Sequence, residues 1–313
     1  MIKQSGLLIL MIMMLLGQSH AAYHTAVSPY WSNGDQLGFH VMGRGDRHVL
    51  ILGGGPGFSS WNLEPLQLEI ARSSARVYLM DMRGVGEMSM AKLPSSRLLD
   101  TWLSDMEALR QHLGIERWTL VGHSWGGLMA LLYAQQYRQH VERILLLNPV
   151  DPEKQSLSDL LERINAKQQL HRPIEWDKDW DQDDAAFNRT ADEVKLYQIR
   201  QVLPTYFADF EQGERYAAQF SASDFEPEIN ARIWQEYDAN PVTKTSVSAI
   251  DQPVHFLECD QDLLMPENQM VLNNYLPHMK TTLLQQCAHF PWVEQKGAFR
   301  RWLFTTLNQG EAR

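Results

Sequence analysis

Ser124 stands at the centre of Gly122-His123-Ser124-Trp125-Gly126, a G-x-S-x-G pattern. The apolar run 118–121 leads into it, and an apolar helical pattern follows from Gly127. Strand, sharp turn and helix with a serine at the apex is an arrangement that lifts a hydroxyl clear of a sheet for attack on a carbonyl. Such a turn strains the serine backbone, so the residues two before and two after must lack clashing side chains; both are glycine. A serine hydroxyl is a weak nucleophile near neutral pH. It needs a base to take its proton and a third group to orient that base.

The residues that fit those roles lie after later strand-like runs. His289, in Cys287-Ala288-His289-Phe290, sits between the apolar run 281–284 and the amphipathic segment 292–307. Asp262 follows the run 254–258, in Asp260-Gln261-Asp262-Leu263-Leu264-Met265-Pro266. Both acids of that loop are candidates. Asp262 is preferred for its distance from Pro266, where the next helix is expected to start, and Asp260 is the alternative. His123 adjoins the serine, but neighbours around a tight turn point apart, so a structural role is expected for it. The negative charge that develops on an attacked carbonyl needs two fixed N–H donors. Trp125 supplies one, and Gly55, in the Gly53-Gly54-Gly55-Pro56-Gly57 loop after the run 48–52, is the expected second. A phosphate-cradling loop is not indicated: the glycines lack the following Lys-Ser/Thr pair, and no G-x-G-x-x-G opens a helix.

These residues must be positioned by alternating strands and helices. Strand-like runs at 39–41, 48–52, 76–80, 118–121 and 143–147 are separated by helical patterns at 63–72, 98–113 and 127–137. This rhythm predicts an α/β fold: a mostly parallel sheet with helices on both faces. It breaks at residues 151–250, which contain no strand-length apolar run and carry 20 acidic residues against 11 basic ones. A helical cap inserted over the C-terminal edge of the sheet is expected there. The α/β pattern then resumes, with strands at 254–258 and 281–284 and helices at 267–275 and 292–307, so residues 23–150 and 251–313 form the core.

Composition sets further bounds. With 44% hydrophobic and 21% charged residues among 313, the chain has enough material for a large core. A net charge of −10 without a basic stripe excludes a nucleic-acid partner. Residues 1–22 read as a signal peptide: Lys3, then ten apolar residues at 7–16, then Ser19-His20-Ala21 before cleavage. Ten apolar residues fall short of the roughly 20 that span a bilayer, so no stable membrane anchor is expected after cleavage. An exported protein, periplasmic or secreted, is the expectation. In an oxidising compartment the pair Cys259 and Cys287 fits a disulfide tying the acid loop to the base loop. The alternative is that each packs as a small residue.

Three segments resemble the prolyl iminopeptidase family of α/β-hydrolases. They are GGGPG at 53–57, DMEALRQHLGIERWTLVGHSWGG at 105–127, and DLLMP with HFPWVEQ at 262–266 and 289–295. The resemblance covers the core from about residue 48 to residue 307 and leaves out the cap. It implies a Ser124–Asp262–His289 triad, no metal or organic cofactor, and removal of N-terminal residues, often proline, from short peptides. Four features depart from the family pattern. Gly53 replaces a histidine, Met88 stands where D-x-R-G-x-G-x-S has serine, and Leu203 stands where a glutamate precedes Tyr-Phe. The cap glutamates that would pair with a substrate α-ammonium are not evident either; Glu211 and Glu214 are the nearby candidates. The substrate expected is therefore a short peptide or small molecule. The same machinery would also serve an esterase, lactonase or amide hydrolase, and a binding protein without catalysis on this scaffold is the reading from another class.

Overall fold

The aliphatic runs at the centre of the chain become strands buried on both faces, which is why they lack polar alternation. A computed structural model describes residues 25–153, 155–171, 189–264 and 268–308. The leader-like residues 1–22 lie outside the described residues, as do Met265, Pro266 and Glu267. Eight strands are described: β1 Ser28–Ser32, β2 Asp35–Met42, β3 Arg47–Leu52, β4 Ala75–Leu79, β5 Trp118–His123, β6 Val141–Leu147, β7 Val254–Cys259 and β8 Lys280–Leu284. They form one sheet in the order β1-β2-β4-β3-β5-β6-β7-β8. The pairs β1–β2 and β2–β4 are antiparallel, and every later pair is parallel.

Side-chain alternation along these strands divides the core into two layers. Leu50, Leu52, Leu120, Leu146 and Phe256 face one layer. There they meet α2 (Leu98–His112), α3 (Trp125–Tyr137) and α9 (Asn268–Tyr275). Val49, Ile51, Val121, Leu145 and Leu257 face the other, against α1 (Glu64–Ala71) and α11 (Lys296–Asn308). This is the doubly covered, mostly parallel sheet that the alternating pattern predicts.

Between β6 and β7 the chain runs through α4 (Gln155–His171), α5 (Ala191–Val202), α6 (Phe210–Ala217), α7 (Pro227–Ala239) and the single turn α8 (Lys244–Val247). Its attachments to the core are specific. Phe225 bridges to Phe58, the Glu226 N–H donates to the Gly57 carbonyl at 2.9 Å, and the Asn230 amide donates to the Pro56 carbonyl at 2.7 Å. Asp224 also accepts from the Ser59 hydroxyl and the Trp61 indole, at 2.9 and 2.7 Å. The insertion is thus held against the glycine-rich loop.

Two elements differ from expectation. Strand β1 forms a hairpin with β2 through Asn33 and Gly34, both at positive φ (50° and 82°), the geometry of a two-residue turn. The expected helix over 292–307 is two helices, α10 (Pro291–Glu294) and α11, separated at Gln295. At Gln295 the backbone leaves the helical region (φ −126°, ψ 50°), while the Glu294 carboxylate caps the start of α10 by accepting from the N–H groups of Ala288 and Phe290.

Candidate active site

Ser124 occupies φ 55° and ψ −124°, between β5 and α3. A conformation of this kind costs on the order of 1–3 kcal/mol, and the surroundings must impose it. They do so by close packing. A Cβ on Gly122 would lie 2.4 Å from the Gly126 carbonyl oxygen, and one on Gly126 would lie 2.1 Å from the Leu52 carbonyl oxygen. The Ser124 N–H donates to Leu147 and its carbonyl accepts from Gly127 and Val150, fixing the turn to β6 and α3.

The acid and base loops leave the C-terminal ends of β7 and β8. His289 Nδ1 donates to Asp262 Oδ2 at 2.7 Å, with both side chains almost wholly buried. That bond leaves Nε2 as the ring acceptor, the position from which a base takes a serine proton. Asp262 Oδ1 accepts from the Leu264 N–H at 3.0 Å. Asp260 does not reach His289: it is exposed, and its carboxylate faces the Cys287 N–H at 3.4 Å. Cys259 and Cys287 are joined as a disulfide with a Cα–Cα distance of 5.2 Å, linking the two loops at their roots. Ser124 and His289 line one cavity, although no hydrogen bond joins them among the described residues. Such contacts often tighten only with substrate bound.

Three residues that sequence reasoning did not single out support this arrangement. The Asn148 amide, after β6, donates to Asp262 Oδ2 and to the Ala288 carbonyl, the latter at 2.7 Å, so one side chain fixes both loops. Asn148 sits at φ 44°, a left-handed conformation that asparagine tolerates. Its position ahead of Pro149 was the available signal. Glu294 accepts from the N–H groups of Ala288, Phe290 and, at 2.8 Å, Ala208 of the insertion. Gly54 is the third: a Cβ there would lie 2.9 Å from the Ser124 Cβ.

His123 lines the cavity too, but its Nε2 is committed to the His289 carbonyl, to which it donates at 2.9 Å. Burial, and then the neighbouring His289, hold its pKa well below the usual imidazole value, so it is a neutral fixture of the base loop. Gly55, at φ 117°, lines the cavity beside Gly54. Trp125 is the first residue of α3, and an N–H in a helix's first turn has no intrahelical acceptor.

The cavity encloses about 600 Å³ between the sheet edge and the insertion. Its walls are predominantly apolar and aromatic: Phe58 stacks on Phe225 with centroids 4.5 Å apart, and Phe220, Trp234 and Leu203 add to them. Tyr206 also lines it, with its ring 4.8 Å from that of His289. Glu211 and Glu214 are not brought to it. The buried face of α6 is Phe210, Gly213, Tyr216 and Ala217, which turns both glutamates to solvent, and Glu211 pairs with Arg215. Asp238, exposed on α7 one turn beyond Trp234, is the carboxylate among the described lining residues.

The profile described as the alpha/beta hydrolase fold matches residues 47–295, and the chain belongs to that family. Among named relatives it resembles proline iminopeptidases. It is 24% identical to that of Lactobacillus helveticus over 270 residues, covering 83% of this chain and 90% of the relative. With that of Clostridioides difficile it shares 22% over 276 residues, 85% of this chain and 92% of the other. Solved structures share the fold. A serine hydrolase from Cycloclasticus zankles superposes with a TM-score of 0.68 at 17% identity, covering 91% of this chain and 98% of that one. The proline iminopeptidase of Mycobacterium smegmatis gives 0.60 at 17% identity, with coverage of 91% and 98%.

Proposed function

We propose that this chain is a serine hydrolase that works through an acyl-enzyme, and that its substrates are short peptides with a free amino terminus. The observation that carries the hydrolase reading is the strained Ser124 opening into the same cavity as a His289 already bonded to a buried Asp262. In this reading His289 takes the Ser124 proton as the hydroxyl attacks a carbonyl. The N–H groups of Trp125 and Gly55 hold the resulting oxyanion, and His289 then protonates the leaving group. Water enters by the same route and releases the acyl group. Similarity to proline iminopeptidases along most of the chain supports the peptide reading, and Asp238 is the side chain assigned to the substrate ammonium.

The apolar walls favour a second reading, an esterase or lactonase, because no glutamate of α6 reaches the cavity. Hydrolysis of prolyl-naphthylamide, its N-blocked form, p-nitrophenyl esters and a lactone separates the two, with Ser124→Ala as control. The peptide reading expects turnover of the free-amine substrate alone among the amides, and a raised KM in Asp238→Asn for that substrate but not for esters. Turnover of esters or lactone only would replace it, and activity retained in Ser124→Ala would overturn the hydrolase assignment. Export to an oxidising compartment is part of the proposal, supported by the leader-like residues 1–22 and the Cys259–Cys287 bond.

A further inference from the structure

Glu258 is the penultimate residue of β7, next to Cys259 of the disulfide, and it is completely buried. Neither carboxyl oxygen has a hydrogen-bond partner. A buried carboxylate in that state would carry a charge with nothing to solvate it, whereas the neutral acid has a proton to donate. The backbone position across from it carries a second unsatisfied acceptor. The β6–β7 register pairs Leu146 with Phe256 and Leu147 with Leu257, and the Asn148 N–H donates to the Leu257 carbonyl at 2.9 Å. Asn148, the first residue after β6, and Glu258 on β7 therefore occupy neighbouring backbone positions at the next rung. The Asn148 amide nitrogen is committed to Asp262 and Ala288, while its Oδ1 is buried without a partner. Two adjacent groups with only acceptor oxygens to spare are reconciled by one proton.

We propose that Glu258 is a neutral carboxylic acid whose O–H donates to Asn148 Oδ1, making it a positioning residue for the Asp262–His289 pair. The chain of contacts is then Glu258 to Asn148, Asn148 to Asp262, and Asp262 to His289. Burial first, and the Asp262 charge second, push the Glu258 pKa up to about 8. Among the described residues Asp262 is the charged side chain that acts on it, and no cation offsets the burial. Loss of the proton would set a carboxylate against Asn148 Oδ1, releasing the carboxamide from Asp262, so the proposal ties the arrangement of the acid loop to pH. It rests on the hydrolase reading only for its catalytic consequence.

The test uses two readouts on the full chain: the rate at which a fluorophosphonate labels Ser124, and the thermal unfolding midpoint, each followed from about pH 5 to about pH 9.5. Glu258→Gln keeps a donor for Asn148 but cannot ionise; Glu258→Leu removes the donor. The wild type is expected to lose labelling above about pH 8, while Glu258→Gln stays level and labels within about threefold of the wild type at pH 7. Glu258→Leu is expected to label about tenfold more slowly. A raised folded pKa gives stability that is fully present below the unfolded value of 4.5 and is lost as pH rises through about 8. The midpoint of Glu258→Gln relative to the wild type should therefore climb across that window. An alkaline fall unchanged in Glu258→Gln, full-rate labelling of Glu258→Leu, or a midpoint difference independent of pH would each overturn the proposal. Wild-type Ser124 that never labels would instead defeat the hydrolase reading, and the unfolding arm would still decide whether Glu258 holds its proton.

Discussion

A methyl group added at Gly54 would stand 2.9 Å from the Ser124 Cβ and 3.2 Å from its hydroxyl oxygen. That is inside van der Waals contact, and the strained serine has little room to retreat because its backbone is bonded to Leu147, Gly127 and Val150. Gly54→Ala is therefore expected to lower kcat/KM at least about tenfold, or about 1.4 kcal/mol of transition-state stabilisation, with folding nearly unaffected. Kinetics beside thermal unfolding check this, and unchanged kinetics would remove Gly54 from the site. At Gly126 the added atom would meet backbone at 2.1 Å, so the same change there acts on folding instead. The candidate residues that were legible in the sequence are those that end strands in a fixed chain order: Ser124 after β5, Asp262 after β7, His289 after β8. Gly54, Asn148 and Glu294 were not, because their roles arise from where two loops pass each other in space, which spacing along the chain does not encode.

Elements were legible to the degree that burial forces a pattern on them. Strands β3, β5, β6 and β7 are covered on both faces and read as apolar runs, whereas β1, at the sheet edge, alternates buried and exposed residues and forms no such run. Its signal was the Asn33-Gly34 pair between two short alternating segments, the residue types a two-residue hairpin demands. The C-terminal helix is divided because Gln295 leaves the helical region (φ −126°, ψ 50°), a local backbone change that the apolar spacing does not mark. The ends of β7 and β8 are held covalently as well as by hydrogen bonds. Cys259 and Cys287 are 28 residues apart, and closing a loop of that length stabilises by about 3.5 kcal/mol through the unfolded chain. The Cys259→Ala/Cys287→Ala double variant is expected to lose about that much in urea unfolding. Labelling of Ser124 should persist at 25 °C, since Asn148 and the Asp262–His289 bond still hold the loops. Unchanged unfolding would show that the bond contributes nothing to the fold.

At the scale of the whole molecule, the buried titratable groups set opposing limits on stability. His255 lies inside β7, where burial first and the cations Arg143 and Lys280 next hold its pKa down to about 4. His123 is depressed in the same direction by burial and by His289. A depressed folded pKa gives stability that is present above the unfolded value of 6.5 and is lost as pH falls toward the folded one, because only the unfolded chain then binds the proton. Glu258 acts with the opposite sign, losing its contribution as pH rises through about 8. The two limits bracket a maximum near pH 6, by the same linkage reasoning. His255→Gln removes one protonation site and should flatten the acid limb by roughly 2 kcal/mol between pH 6.5 and pH 4 without moving the alkaline limb. Urea unfolding of the wild type and His255→Gln at several pH values measures both limbs. A wild-type stability that does not fall between pH 6.5 and pH 4 would mean that the unfolded chain binds no net excess of protons there, the histidine loss being offset by the gain at Glu258. Parallel acid limbs in the two proteins would move the origin of the loss from His255 to His123 and the carboxylates.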